Sequence, residues 1–128
     1  MNVSIVSPEE KVWEGEADLV VARSPEGEFG IMNGHIPFLA ALVPGAVKMG
    51  TGEGREVYFV PGGFLEASWL ADDYHVIVLV DDAEAVGEID ASEARERVEQ
   101  ARRRREKDSD EEAESELRAA LARLDIAG

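Results

Sequence analysis

A glutamate and a histidine in a bent, glycine-rich stretch are the first candidates for chemistry. Glu28 and His35 fall within residues 27–45, which contain four glycines and two prolines. A carboxylate and an imidazole can bind a metal ion or accept a proton. A metal site needs three or four donors, however, and the other histidine, His75, belongs to a different predicted strand. We therefore expect an interface role for His35, with a small cupin-like metal enzyme as the alternative.

Two aspartate pairs and one arginine run are the remaining charged clusters. Asp72–Asp73 and Asp81–Asp82 each end a predicted strand, which a turn explains more simply than a cation site, and EF-hand spacing is absent. Arg102–Arg105 could contact nucleic acid, but a net charge of −15 argues against polyanionic partners. The arginines are expected to form a solvated helix face or to contact an acidic protein surface.

No catalytic motif accompanies these clusters. The sequence has no cysteine, no Ser–His–Asp pattern and no phosphate-binding loop. It shows no signal peptide and no apolar run of about 18 residues. These features predict a docking or coupling module without catalytic residues, cofactor or metal, which meets a membrane only through a complex. A free-standing acidic regulatory protein is a second alternative.

The composition changes once along the chain, at Val86–Glu88. Before this point valine, glycine, proline and aromatic residues are frequent; after it, proline and aromatic residues are absent and alanine, glutamate and arginine dominate. We therefore predict two units, a β-domain at residues 1–86 and a helical hairpin at residues 87–128.

Short apolar runs separated by turn residues fill the first unit. Eight to ten strands at close spacing predict an antiparallel sandwich or small barrel, and the lack of crossover helices excludes a parallel α/β sheet. The run His75–Val80 carries apolar residues at consecutive positions. It is expected to be the most buried strand, with apolar residues on both faces.

Two amphipathic segments form the second unit. Asp90 is a candidate N-cap for a first helix with the stripe Ala94, Val98 and Ala101. A second helix is predicted from about Glu111 to Ile126, and its stripe is Ala113, Leu117, Leu121 and Leu124. Because thin alanine stripes bury little area, the hairpin should be marginally stable and should lean on the sandwich or on a partner.

Several motifs in order along the chain resemble one known family. These motifs are the segments Val12–Ala17, Ser24–Ile31, Gly34–Leu39, Val43–Gly45 and Phe59–Glu66, with Ile89-Asp90 at the helix start. Through them the chain resembles the epsilon subunit of bacterial and chloroplast F-type ATP synthases.

The resemblance implies a ten-stranded β-sandwich followed by two helices. It implies a rotor subunit of a proton-translocating ATP synthase, at the cytoplasmic face of the cell membrane or the stromal face of a thylakoid. Its implied partners are the gamma subunit, the c-subunit ring and the alpha/beta catalytic head. The helices of this family fold against the sandwich or extend along gamma, where they inhibit ATP hydrolysis.

The resemblance also assigns two candidate interfaces. The interface implied with gamma and the c ring comprises Glu28, Phe29, Met32, Asn33, Gly34, His35 and Pro37. The interface implied with the catalytic subunits comprises Arg102, Arg103, Arg104, Arg105, Arg118 and Arg123.

The sequence departs from the family pattern at two places. Asn33 stands where proline is common before Gly34-His35, and because asparagine tolerates turn geometry the loop should keep its shape. Some members bind ATP through Ile/Leu-Asp-x-x-Arg-Ala at the first helix. Here Ile89, Asp90 and Ala94 match, but Glu93 replaces the arginine. A carboxylate repels phosphate, so we predict weak or absent ATP binding.

Overall fold

The computed structural model describes residues 1–127, in which ten strands precede two helices. Gly128, the last residue of the predicted hairpin unit, lies outside the described residues. The strands are β1 (Asn2–Val6), β2 (Lys11–Glu16), β3 (Leu19–Ser24), β4 (Gly27–Met32), β5 (Phe38–Leu42), β6 (Gly45–Thr51), β7 (Gly54–Val60), β8 (Gly63–Leu70), β9 (Asp73–Leu79) and β10 (Glu84–Ala85). A short 3-10 turn (Val86–Glu88) leads to α1 (Ala91–Lys107) and α2 (Glu111–Ala127).

Two five-stranded sheets pack face to face as a sandwich, which confirms the predicted fold. The front sheet has the order β2-β1-β9-β8-β5, and the back sheet has the order β10-β7-β6-β3-β4. Neighbouring strands are antiparallel except β1 and β9, which are parallel with Asn2 opposite His75. This pair joins the two ends of the β-domain chain.

The core lies between the sheets. It is built from alternate positions along each strand, as expected when one face of a sheet is buried. Its members include Val3, Ile5, Val20, Ile31, Val47, Met49, Leu65, Val76 and Val78.

Strand β9 buries one face in the core and has exposed residues at both ends, whereas β1 has none, so the expectation that β9 is the most buried strand is wrong. Tyr74, Val76 and Val78 point into the core, whereas Leu79 is 50% exposed on the outer face of the front sheet. The sequence of β9 is continuously hydrophobic from Val76 onward because one face of the strand lies in the core and the other forms part of an apolar surface.

A glycine pair makes the turn into β8 and brings β8 close to the end of β9. Gly63 has a φ of +131°, which disfavours other residues. A β-carbon at this position would overlap the carbonyl oxygen of Leu79 and would lie 3.1 Å from Cγ1 of Val80. The turn therefore requires glycine for both conformation and space.

Side-chain caps start both helices. The Asp90 carboxylate accepts hydrogen bonds from the backbone N–H groups of Ser92 (2.8 Å) and Glu93 (3.1 Å), as its position predicts. Asp110 caps α2 in the same way, through the N–H of Ala113 at 2.8 Å. The two caps place the helix starts close to the predicted positions. None of the helices described within residues 1–127 is long and apolar enough to span a bilayer.

The helices pack against each other through a small apolar cluster. Ala94, Val98 and Ala101 are buried as predicted, and Leu117 packs with Ala120 and Leu124. Leu121, predicted to lie in the same stripe, is 41% exposed. At about 100° per residue, Leu121 lies roughly 200° around the helix from Arg123, which faces the sandwich, so Leu121 points away from it.

Candidate functional site

Apolar side chains are exposed at one end of the sandwich, formed by the β4–β5 loop and the β8–β9 turn. We call this surface the loop end and define it by Met32, Ile36, Trp69 and Leu70. Each of the four is at least half exposed, with Ile36 at 73%. The Tyr74 hydroxyl donates a hydrogen bond to the Ile36 carbonyl at 3.3 Å, and this bond ties the loop to β9.

Aromatic contacts support the loop end from below. The Trp69 and Tyr74 rings lie 5.2 Å apart, edge to face, and the Phe29 and Phe38 rings lie 5.3 Å apart at the open edge between the sheets. Burial raises the pKa of Tyr74, so its hydroxyl stays protonated as the donor. The exposed loop therefore sits on a packed base.

His35 is partly exposed in this loop and makes only local contacts among the described residues. Its Nδ1 donates to the Ile36 carbonyl at 2.8 Å, and its ring lies edge-on to Phe38. Within residues 1–127, no three side chains of the His, Cys, Asp and Glu types are grouped to hold a metal. The interface role expected for His35 stays a prediction.

The seven residues assigned to gamma and the c ring do not form one patch. Met32, Asn33, Gly34, His35 and Pro37 share the loop end, and Phe29 is half-buried at the neighbouring edge. Glu28 lies four residues before Met32 on β4, about 13 Å away at 3.3 Å per residue. It pairs with Lys48 at 4.0 Å on the back sheet, near the end of α2.

A second apolar surface, which sequence reasoning missed, covers the outer face of the front sheet. Ala41, Phe64, Leu79 and Val6 form one row across four neighbouring strands. Phe64 is 54% exposed, and beside it a groove of about 440 Å³ continues to Pro8. We call this row the front row. The signal for it was the unbroken hydrophobicity of the strand at 75–80.

Most cations of the arginine run are engaged inside the hairpin. Arg104 pairs with Glu116 and Glu112 of α2, and Arg105 pairs with Glu114 at 3.9 Å. The hydrogen bond that Arg104 donates to Glu116 raises the pKa of Arg104. Arg102 pairs with Glu99 on its own helix at 3.7 Å. Contact of these residues with the catalytic subunits stays a prediction, as it does for the exposed Arg103 and Arg118.

Arg123, also assigned to the catalytic subunits, is 5% exposed at the junction of hairpin and sandwich. Its Nε and Nη2 donate to Glu84 of β10 at 2.7 and 3.0 Å, and its Nη1 donates to Glu93 of α1 at 2.8 Å. The hydrogen bond from Arg123 lowers the pKa of Glu84 and thus favours the carboxylate. In this conformation Arg123 is not available to a partner, so its assigned contact stays a prediction for detached helices.

The residues at the positions of the ATP-binding motif make contacts within the protein itself. Asp90 caps α1, Ala94 is buried between the helices, and Glu93 binds Arg123 and Arg97. Ile89, half-buried, ends the 3-10 turn. A cleft of about 490 Å³ opens nearby between the two helices and the sandwich. Three carboxylates and three guanidinium groups line it, those of Asp82, Glu84, Glu116, Arg97, Arg104 and Arg123.

A family model matches the β-domain. The model describes the ATP synthase delta/epsilon chain, β-sandwich domain, and it matches residues 1–86.

Relatives match over the whole chain. A protein named ATP synthase epsilon chain from Anaeromyxobacter sp. (strain K) is 41% identical, with 100% of this chain and 98% of the relative covered. The protein of the same name from Halalkalibacterium halodurans is 38% identical, with 100% and 97% covered.

A solved structure shares the fold. A chain in the cryo-EM structure of the Euglena gracilis mitochondrial ATP synthase, containing OSCP, F1 and the c-ring, superposes with a TM-score of 0.77. It is 24% identical to this chain, and the match covers 94% of this chain and 76% of the other.

Proposed function

This chain belongs to the ATP synthase epsilon-chain family, and we propose that it acts in the central stalk, coupling rotation of the membrane ring to ATP synthesis. The family assignment makes it a non-catalytic subunit of the complex and replaces the cupin-like and free-standing alternatives. The proposed partners are the gamma subunit, the c-subunit ring and the alpha/beta head. The proposed place is the cytoplasmic face of the cell membrane, with protons as the coupled ion.

The front row and the loop end carry this proposal. Large apolar side chains rarely form contiguous exposed rows on a protein that works alone. Phe64 and Leu79 stand directly opposite each other on adjacent strands, and the groove beside them can receive an apolar side chain. The net charge of −15 favours partners whose surface around this apolar contact is basic.

The hairpin is the proposed regulatory unit, with its boundary after residue 86. It covers only part of the back sheet and leaves the front row and the loop end open. The sandwich can therefore stay docked on the rotor while the helices move. We propose that detached helices restrain ATP hydrolysis by reaching the catalytic head.

Substitution in the front row tests the docking role. Leu79→Glu places a charge in the groove and should abolish co-purification with the gamma subunit of the same organism. Leu121→Glu is the matched control, because this leucine is similarly exposed but lies on the hairpin. If both variants co-purify with gamma as well as the parent chain does, the front row is not the docking surface.

Cross-linking tests the loop end. The chain has no cysteine, so His35→Cys introduces a unique attachment site. A photoreactive reagent on it should capture the gamma subunit or the c ring in the assembled complex. Capture of alpha or beta alone would contradict the assignment.

Deletion of residues 88–128 tests the restraint of hydrolysis. The core of the sandwich is separate from the helix–helix cluster, so the β-domain should remain folded. ATP hydrolysis by the assembled complex should rise. An unchanged rate at equal occupancy of the truncated chain would count against the inhibitory role.

A further inference from the structure

We propose that Arg123, Glu84 and Glu93 form a latch that holds the hairpin on the sandwich, and that the hairpin leaves as an intact unit when the latch opens. The three residues come from α2, β10 and α1, so one guanidinium joins the sandwich to both helices. The latch is a property of the chain itself; only its consequence for hydrolysis rests on the proposed function.

The latch is the closest polar contact between the two units. Two nitrogens of Arg123 bind both oxygens of Glu84, at 2.7 and 3.0 Å, in the paired geometry that makes arginine–carboxylate bonds strong. Glu93 completes the set, with Oε1 2.8 Å from Nη1 and Oε2 3.4 Å from Nη2. The arginine side chain is 6% exposed, so water screens these bonds weakly.

Two spaces leave part of the junction unfilled, although Phe59 of the sandwich is only 4% exposed there. The sandwich core and the helix–helix cluster are two separate sets of buried side chains. Phe59 and Pro61 of the sandwich face the helices across the 490 Å³ cleft. A further space of about 560 Å³ lies between the back sheet and the last turns of α2, at Ala122 and Ile126.

The hairpin has its own contacts to keep it together. Val98, Ala101 and Leu117 are buried between the helices. Arg104 and Arg105 pair with carboxylates of α2. Because none of these contacts involves the sandwich, opening the latch should leave them in place.

The charged neighbours of the latch lie on both helices and in the segment before β10. Arg97 pairs with Glu93 at 3.0 Å, and Asp82, Arg104 and Glu116 line the same cleft. With Arg123 removed, Glu84 and Glu93 face each other without their shared cation. Their repulsion then favours the detached hairpin.

Distances between paired spin labels test the latch in the full-length chain. Glu10→Cys with Ser115→Cys reports the separation of sandwich and hairpin, and Glu96→Cys with Ser115→Cys reports the hairpin alone. All three positions are exposed, and the chain has no native cysteine to label. Each pair is combined with Arg123→Gln, or with Arg118→Gln as the control on an exposed arginine of the same helix.

The expected result is a longer sandwich–hairpin distance in Arg123→Gln and an unchanged distance within the hairpin. Removing one partner of a buried ion pair should lower the docked-to-detached ratio roughly tenfold or more. Glu84→Gln, which alters only the sandwich side, should lengthen the same distance. The proposal is overturned if Arg123→Gln matches Arg118→Gln, if Glu84→Gln has no effect, or if the distance within the hairpin also broadens.

Discussion

Replacing Gly63 with alanine should destabilise the β-domain more than replacing any open glycine of similar conformation. Gly27 supplies the comparison, because its φ of +130° nearly equals the +131° of Gly63. A β-carbon at Gly27 meets nothing within 4 Å, whereas at Gly63 it overlaps the Leu79 carbonyl. Both variants therefore lose the same free energy of folding through backbone strain. Only Gly63→Ala adds the steric overlap with the Leu79 carbonyl.

The magnitudes follow from these two terms. Placing a non-glycine residue in this backbone region costs about 1–3 kcal/mol, which Gly27→Ala should show. Forcing β8 away from the end of β9 adds about 1–3 kcal/mol in Gly63→Ala, as for other overpacked sites. For a domain of this size, about 2 kcal/mol of extra cost corresponds to a melting temperature about 10 °C lower.

Thermal unfolding followed by circular dichroism measures the difference, and gamma binding supplies a second measurement. Gly63 directly precedes Phe64 of the front row, so Gly63→Ala should also weaken co-purification with gamma, while Gly27→Ala should not. Equal melting temperatures for the two variants would refute the reasoning, because the close approach of β8 to β9 would then have no energetic consequence.

Three further predictions concern the hairpin. Arg123 lowers the pKa of Glu84, so the latch is fully stabilising above the usual carboxyl value of 4.5 and is lost as pH falls through the lowered pKa; a sandwich–hairpin distance that lengthens already near pH 6 would contradict this. Calorimetry at millimolar ATP should show no 1:1 binding, because Glu93 is a carboxylate already paired with Arg123; a clear 1:1 isotherm would refute it. Asp90→Ala should cost about 1 kcal/mol and speed hydrogen exchange in the first turn of α1, whereas Asp108→Ala, at the other end of the helix, should leave that turn protected.

Local chemistry made much of the fold predictable. Helix starts depend on a cap within three residues, so Asp90 could be assigned as a cap from the sequence, and Asp110 lies in the predicted break between the helices. The composition change at Val86–Glu88 coincides with the passage from β10 to the helices. The family resemblance depended on motifs such as Pro61-Gly62-Gly63. Its last residue, Gly63, must be glycine because the end of β9 lies too close for a β-carbon.

Contacts between distant segments were not predictable in this way. A run of apolar residues is the same whether its second face meets the core or a partner, so the sequence of β9 did not show that its outer face would be partly exposed. Arginine is usually a surface residue. Arg123 is buried only because it packs beside Glu84, 39 residues earlier in the chain. Alanines on several sides of α2 were the available sign that this helix contacts two surfaces.

The sequence by itself determined the succession of strands and then helices, the helix starts, the turn glycines and the family, because each depends on residue types within a few positions or on ordered motifs. Tertiary structure alone decided how these parts face one another. It separated Glu28 from the loop around His35, exposed Leu79 in the front row, and turned Arg123 inward while Leu121 turned outward. The physical reason is that burial and ion pairing depend on which surfaces meet, and strand register and helix rotation set those meetings across long stretches of chain.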